Sequence, residues 1–315
     1  MISNKSLIQK ADLALSELTS GGGALSEAKS KEFLQLLIKK GVLTSRANVK
    51  TMAAATHTFP KIRFGSRIIR AGASGQALAE ADRSKPEHTS MTLNAQLFKA
   101  EIQLPDEIFE DNIEGVALQD TILALVAEQM SADVDDIVVN SNTANAALAP
   151  ELKLFDGMLA KATTNTVAAG GTVLTKDVLK QTLKAMPREF QQDPLRLKFF
   201  TSINTANEYG DGYADRMTGL GDEALQNASN SRYRSIEVLP VPLWPENLGG
   251  GTDESAVILC DPKEIVIGFW RTIKMEMERS ARHGTNILVA SMRMDFDYMH
   301  EPAVVKTTGI KVSAA

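Results

Sequence analysis

The sequence predicts an α+β protein with elements that project from its core, and three observations predict it. From Asp111 to about Asn140, Ile113, Val116, Leu118, Ile122, Leu125, Val126, Met130, Val134, Ile137 and Val138 recur at helical spacing without a proline. From residue 256 onward strands dominate, at AVILC, EIVIGF, IKMEME, ILVASMRMDFDYM and AVVKT. Between them in character, FPKIRFGSRIIRAG and MTLNAQLFKAEIQL flank the polar stretch AGASGQALAEADRSKPEHTS, a hairpin too long to sit inside a compact domain. A long helix and a separate run of strands share a core most simply in an α+β arrangement.

In chain order, residues 1–56 read as an N-terminal arm. Leu13, Leu15 and Leu18 mark a short amphipathic helix ending at Gly21-Gly22-Gly23, and a second helix runs from about Ser26 to Lys40 with Gly41 as its C-cap. Residues 57–105 form the extended hairpin, in which Ile62, Phe64 and Ile68 alternate with Lys61, Arg63 and Arg67. The long helix follows in 106–150 and is about 40 Å of rod at 1.5 Å per residue. Residues 151–261 alternate elements: a helix at TKDVLKQTLKAMPREF, a strand at LRLKFFTS, a helix around NTANEYGDGYADRM and a strand at SIEVLPVPLW. The strands of 262–315 are expected to return to the long helix and share its core.

Composition bounds the function. The 315 residues exceed what one compact core usually holds, and 43% hydrophobic residues suffice for a sizeable interior. The net charge of −5 and the lack of a long Lys/Arg run argue against bare nucleic acid as the main ligand. Cys260 is the single cysteine, which excludes an intramolecular disulfide and a cysteine-rich zinc site and suits a reducing compartment. The N-terminus lacks the apolar stretch of a signal peptide, and no run of about eighteen apolar residues could cross a membrane, so a soluble chain made in a cytoplasm is expected.

The densest chemical signal is LPDEIFEDNIEG, where Asp106, Glu107, Glu110, Asp111 and Glu114 crowd into one short stretch. Paired acids could serve a hydrolase. On a helix these side chains pair four apart, and each like-charge pair costs about 0.2–0.5 kcal/mol. At a helix N-terminus each carboxylate gains about 0.3–1 kcal/mol from the dipole, and a cap contributes about 1 kcal/mol. The gains exceed the repulsion at a helix start, and Asp111 with Glu114 forms a capping-box pattern. Helix capping is therefore the stronger reading.

Other chemistry finds no support. His57, His88, His283 and His300 have no metal-binding spacing. GASG at 72–75 lacks the full nucleophile-elbow form, and no glycine-rich stretch continues into a phosphate loop. Cys260 ends an apolar run and is expected to be buried. No cofactor and no catalytic or metal site is expected. What remains is the cationic set Lys61, Arg63, Arg67 and Arg70, and the acids at 106–114. Opposed patches on one chain favour heterologous self-association, which builds rings and shells.

The order of elements resembles the major capsid protein of tailed bacteriophages, with its Hong Kong 97-like fold. The resemblance rests on "LPDEIFEDNIEGVALQDTILALVAEQM", "SIEVLPVPLWPEN", "LCDPKEIVIGFWRTIKMEMERSARHGTN" and "VASMRMDFDYMHEPAVVKTTGIK", which with their order span most of the chain after residue 57. It implies a non-enzymatic shell subunit in the virion, assembled in the host bacterial cytoplasm into pentamers and hexamers around double-stranded DNA. It also implies a peripheral domain with a spine helix at 106–150 and 262–315, and an axial domain at 151–261. The hairpin at 57–105 would lie over the adjacent subunit's peripheral domain. A portal, a separate scaffolding protein and a decoration protein are the implied partners. Some relatives carry a long N-terminal scaffolding segment, whereas only residues 1–56 precede the hairpin here. Others crosslink a hairpin lysine; Lys61, Lys85 and Lys99 are available, but no crosslinking set is recognisable. An encapsulin-like compartment shares the fold and is the alternative; a soluble hydrolase using the 106–114 acids is a more distant one.

Overall fold

The structure is a computed structural model and describes residues 37–64, 67–72, 75–105, 117–214, 232–249, 253–271, 273–280, 282 and 284–313. The N-terminal helix read around Leu13, most of the second helix, and the whole acidic stretch Asp106, Glu107, Glu110, Asp111 and Glu114 lie outside the described residues.

Two sheets organise the molecule. The first is built on β12 (Thr285–Tyr298), whose alternation sends Leu288, Ala290, Met292, Met294, Phe296 and Tyr298 inward. These residues share one hydrophobic cluster with Val126, Met130, Val134, Ile137 and Val138 of helix α1 (Ala117–Asn140). The described 24 residues of α1 span about 36 Å. β4 (Gln96–Pro105) pairs antiparallel along β12 from Thr285 to Met294. β11 (Lys274–Ser280) takes the opposite edge at Thr285–Ser291. β10 (Ile265–Trp270) continues that edge from Met294, and β1 (Asn48–Met52) runs parallel beside β10.

The second sheet runs in the order β5 (Asn165–Val173), β13 (Val305–Lys311), β9 (Glu254–Cys260), β6 (Lys198–Thr201), β8 (Ile236–Pro240) and β7 (Arg232–Tyr233). Helix α2 (Met158–Lys161) precedes it. Helices α3 (Lys176–Ala185) and α4 (Ile203–Ala214) pack against it through Val178, Leu179, Ala206 and Tyr209. The segment 262–315 is thus divided: β10, β11 and β12 lie in the first sheet with the α1 core, whereas β13 lies between β5 and β9 in the second.

Part of the arm expected at 1–56 packs with the body. Leu37 and Leu43 are fully buried, and β1 completes the edge of the first sheet. The link is Asp135 of α1, 3% exposed, which accepts from the Leu43 and Thr44 amides at 3.0 and 3.1 Å and from Thr44 Oγ1 at 2.6 Å. The turn needs glycine at position 41, because a Cβ there would lie 1.9 Å from Thr44 Oγ1.

The hairpin differs from its sequence reading in one respect. β2 (Thr56–Arg63) pairs with β3 (Glu87–Asn94), from Thr56↔Asn94 to Arg63↔Glu87. The return strand read as one piece is broken at Ala95: β3 belongs to the hairpin, and β4 is already in the first sheet. The break is fixed by Ala95 N–H donating to Ala55 O at 2.8 Å, and by Asn94 N–H donating to Asp295 Oδ2 at 2.6 Å. Met91 and Leu93 then pack with Met52 and Val266, over Gly268. A Cβ on Gly268 would sit 2.6 Å from Leu93 Cδ1 and 2.7 Å from Met52 Sδ.

Candidate subunit interface

The hairpin carries the cations predicted from sequence, and its pleat divides them from the apolar residues. On β2, His57, Phe59, Lys61 and Arg63 are half-buried and face the body of the same chain, while Thr58, Pro60 and Ile62 are exposed. Lys61 Nζ donates to Tyr298 O at 3.3 Å. Burial lowers the Lys61 pKa, against the opposing charges of Asp297 and Glu264. Arg63 lies 3.3 Å from Glu189 and stacks 5.8 Å over the Phe190 ring. Arg67 and Arg70 are exposed on the connection, where the Arg67 carbonyl accepts from Ser84 Oγ at 3.0 Å.

The four cations are therefore not one patch. Two hold the hairpin down at home, against the junction where Phe190 and His300 approach at 6.3 Å. His300 in turn is held by Glu264, whose Oε2 accepts the His300 amide and meets Nδ1, each at 2.9 Å. The other two are exposed in the distal part of the hairpin.

The apolar partners of that alternation point the other way. Ile62 is 65% exposed and Ile69 83%, with Phe64, Ile68 and Leu78 also exposed. This inverts the usual pattern, in which charge faces water and apolar side chains face the body. A run of exposed large hydrophobic residues on a projecting element marks an interaction surface. The sequence draws attention to the charged residues of the candidate contact, and the exposed apolar residues lie between its cations. The signal was present in the same alternation, but its direction depends on which strand face packs at Gly268.

Chemistry is sparse elsewhere. Among the described residues no group of His, Cys, Asp and Glu is placed to hold a metal ion. Cys260 is buried, and burial pushes its thiol well above the ordinary range, with Asp261 and Glu264 adding to the effect. No helix among the described residues is long and apolar enough to cross a membrane.

Comparison with known proteins decides the family. No family model matches the chain. A putative prophage capsid protein of Bacillus subtilis (strain 168), YqbE, is 32% identical over 312 residues, covering 98% of this chain and 99% of its own. This chain belongs to the phage capsid protein family. The fold of the capsid protein agrees with solved shells. The satellite phage P4 procapsid that includes the size determination protein matches with TM-score 0.67 at 13% identity, over 99% of this chain and 98% of that one. The capsid of an empty GTA particle matches with TM-score 0.59 at 14% identity, over 86% and 90%. The holo-SrpI encapsulin complex of Synechococcus elongatus PCC 7942 also scores 0.59, at 11% identity over 86% and 88%. The α+β architecture is thus the Hong Kong 97-like fold, and the capsid protein serves as a subunit of the viral shell.

Proposed function

We propose that this chain is the major capsid protein of a phage or prophage head, closing into an icosahedral shell of pentamers and hexamers around double-stranded DNA. The observation that carries the reading is the hairpin: one face of its strands is anchored at home by Lys61, Arg63, Met91 and Leu93, while Ile62 on the other face and Phe64, Ile68 and Ile69 beyond the strand are exposed. Such a surface is buried when it lies on the peripheral domain of the adjacent copy. Residues 151–261 surround the symmetry axes, and Arg67 and Arg70 reach across the same boundary as the distal apolar residues. A contact through one patch to a different patch is heterologous, and its repetition closes into rings and shells. A portal, a scaffolding protein and a decoration protein complete the head, which assembles in the bacterial cytoplasm; the chain acts by structure and not by turnover.

Size-exclusion chromatography and negative-stain imaging of the purified protein test this. Hollow particles or capsomer rings are expected, and a stable monomer or dimer across the accessible concentration range would sink the reading. The likeness to an encapsulin complex supports a second reading, a compartment loaded with protein. Nuclease-protected DNA recovered from particles made during phage or prophage induction is expected for the head. A packaged enzyme in its place identifies the compartment.

A further inference from the structure

The face of the first sheet that points away from α1 is polarised in charge, and an aromatic stack marks its basic end. Arg271 and Arg293 each place their guanidinium carbon 4.5 Å from the centroid of Trp270. Trp270 stands one residue beyond the Phe269↔Met294 pair, so Arg293 is its cross-strand neighbour on that face. Trp270 is also packed against the cluster of Met52, Met91, Leu93 and Val266. Arg271 is a non-glycine residue at φ 64°, a left-handed conformation that is sparsely populated and clusters at ligand clamps. Among the described residues neither guanidinium has a carboxylate within ion-pair distance. Lys99 and Lys274 flank Ser291 on the next rung, adding two exposed cations.

The charge then reverses. Glu101 and Glu276 flank Val289, and Glu278 lies beside Ile287, all three exposed. At that acidic end β4 finishes at Pro105 opposite Thr285, and the five acids of 106–114 follow directly in the sequence. From Thr285 to Arg293 is eight residues of strand, roughly 27 Å. Each copy therefore carries its cationic stack at one end of the face and tethers its acidic segment at the other.

Resting on the shell reading, we propose that the Arg271–Trp270–Arg293 stack receives the acidic segment 106–114 of a neighbouring copy. Planar guanidinium groups fixed on an indole suit a carboxylate, which they bind through two parallel N–H donors. Phosphate of nucleic acid presents similar oxygens. A polyanion laid along this face would, however, meet Glu101 and Glu276 at the second rung and Glu278 at the third, and the chain is net acidic. Lys61 and Arg63 of the hairpin are engaged within their own chain.

The test is a charge-reversal cross in the full-length protein, scored by particle yield after sedimentation, with wild-type particles as reference. Arg271→Glu with Arg293→Glu, and separately Asp106→Lys with Glu107→Lys and Glu110→Lys, are each expected to cut particle yield at least tenfold. The unassembled subunits are expected to remain folded, with a cooperative circular dichroism melt lowered by no more than the lost helix-dipole and cation–π contacts account for. Co-expressing the two reversed chains is expected to restore particles containing both. Either variant assembling at wild-type yield overturns the proposal. So does restoration of the acid-reversed chain by Arg67→Glu/Arg70→Glu instead of by the stack variant. Normal yield with less protected DNA in the stack variant overturns it as well, assigning the stack to phosphate. Failure of the wild type to form particles counts against the proposed function alone. Arg271→Lys with Arg293→Lys keeps charge without the planar fork and is expected to assemble at intermediate yield.

Discussion

Asp135 holds a turn of the chain to the spine of the molecule with one buried carboxylate. Removing it strands two amides and a hydroxyl away from water, so Asp135→Ala is expected to cost about 3 kcal/mol. Denaturant titration of unassembled subunits measures this, and Asp135→Asn should lose less because one oxygen acceptor remains. Glu301 is the corresponding fastener between Thr163–Thr164 and β13. Burial pushes its pKa up, but the hydroxyl and amide of Thr164 and the amide of Thr163 outweigh this and hold it below 4.5. A depressed carboxylate contributes stability that is present above its unfolded pKa and lost as pH falls through the folded value. Stability profiles taken downward from pH 5 should therefore fall less steeply for Glu301→Gln than for the wild type. An identical acid limb in the two proteins would refute that role.

The hairpin behaves as a lever pinned at Gly268. Gly268→Val drives a branched side chain into Leu93 and Met52 and is expected to destabilise the subunit by about 1–3 kcal/mol. Ile62→Asp and Ile69→Asp touch only exposed positions, so the subunit should keep its stability to within about 0.5 kcal/mol while particle yield collapses. Arg67→Glu belongs with these; Arg63→Glu instead breaks a contact with Glu189 and should lower subunit stability as well. At this scale much of the protein was legible in its sequence. The helix ending at Asn140, the strands after 256 and the hairpin itself follow from periodicity, because each buries a regular face. The break at Ala95 was not legible, since alternation continues through it and only the pairing partner changes. β5 was missed because Gly170 and Gly171, at φ 67° and 76°, bulge opposite Gly309 and erase the apolar alternation. The candidate interface was half legible: the alternating residues were visible, but not which of the two sets faces home.

At the level of the molecule, two sheets are tied together by a chain that crosses between them late. β13 fills an interior position between β5 and β9, pairing with both. Chains ending before residue 304 should therefore leave β5 detached and expose the cluster around Leu259 and Val257, giving insoluble or protease-sensitive product; limited proteolysis of truncated chains checks this. Sequence order alone suggested that the terminal strands stay together, since adjacent strands usually share a sheet. The crossover at Glu301–Ala303 is too short to advertise the change.

That interior strand also carries a timing consequence. A nascent chain can complete the first sheet, with its spine, once Tyr298 has emerged, yet the second sheet stays open until Val305–Lys311 follows. A repeating shell tolerates few defective tiles, and a subunit terminated before Val305 leaves β5 and β9 without the strand that both pair with. The placement of β13 thus makes synthesis through Lys311 a condition for closing the second sheet, a fidelity check that needs no dedicated factor.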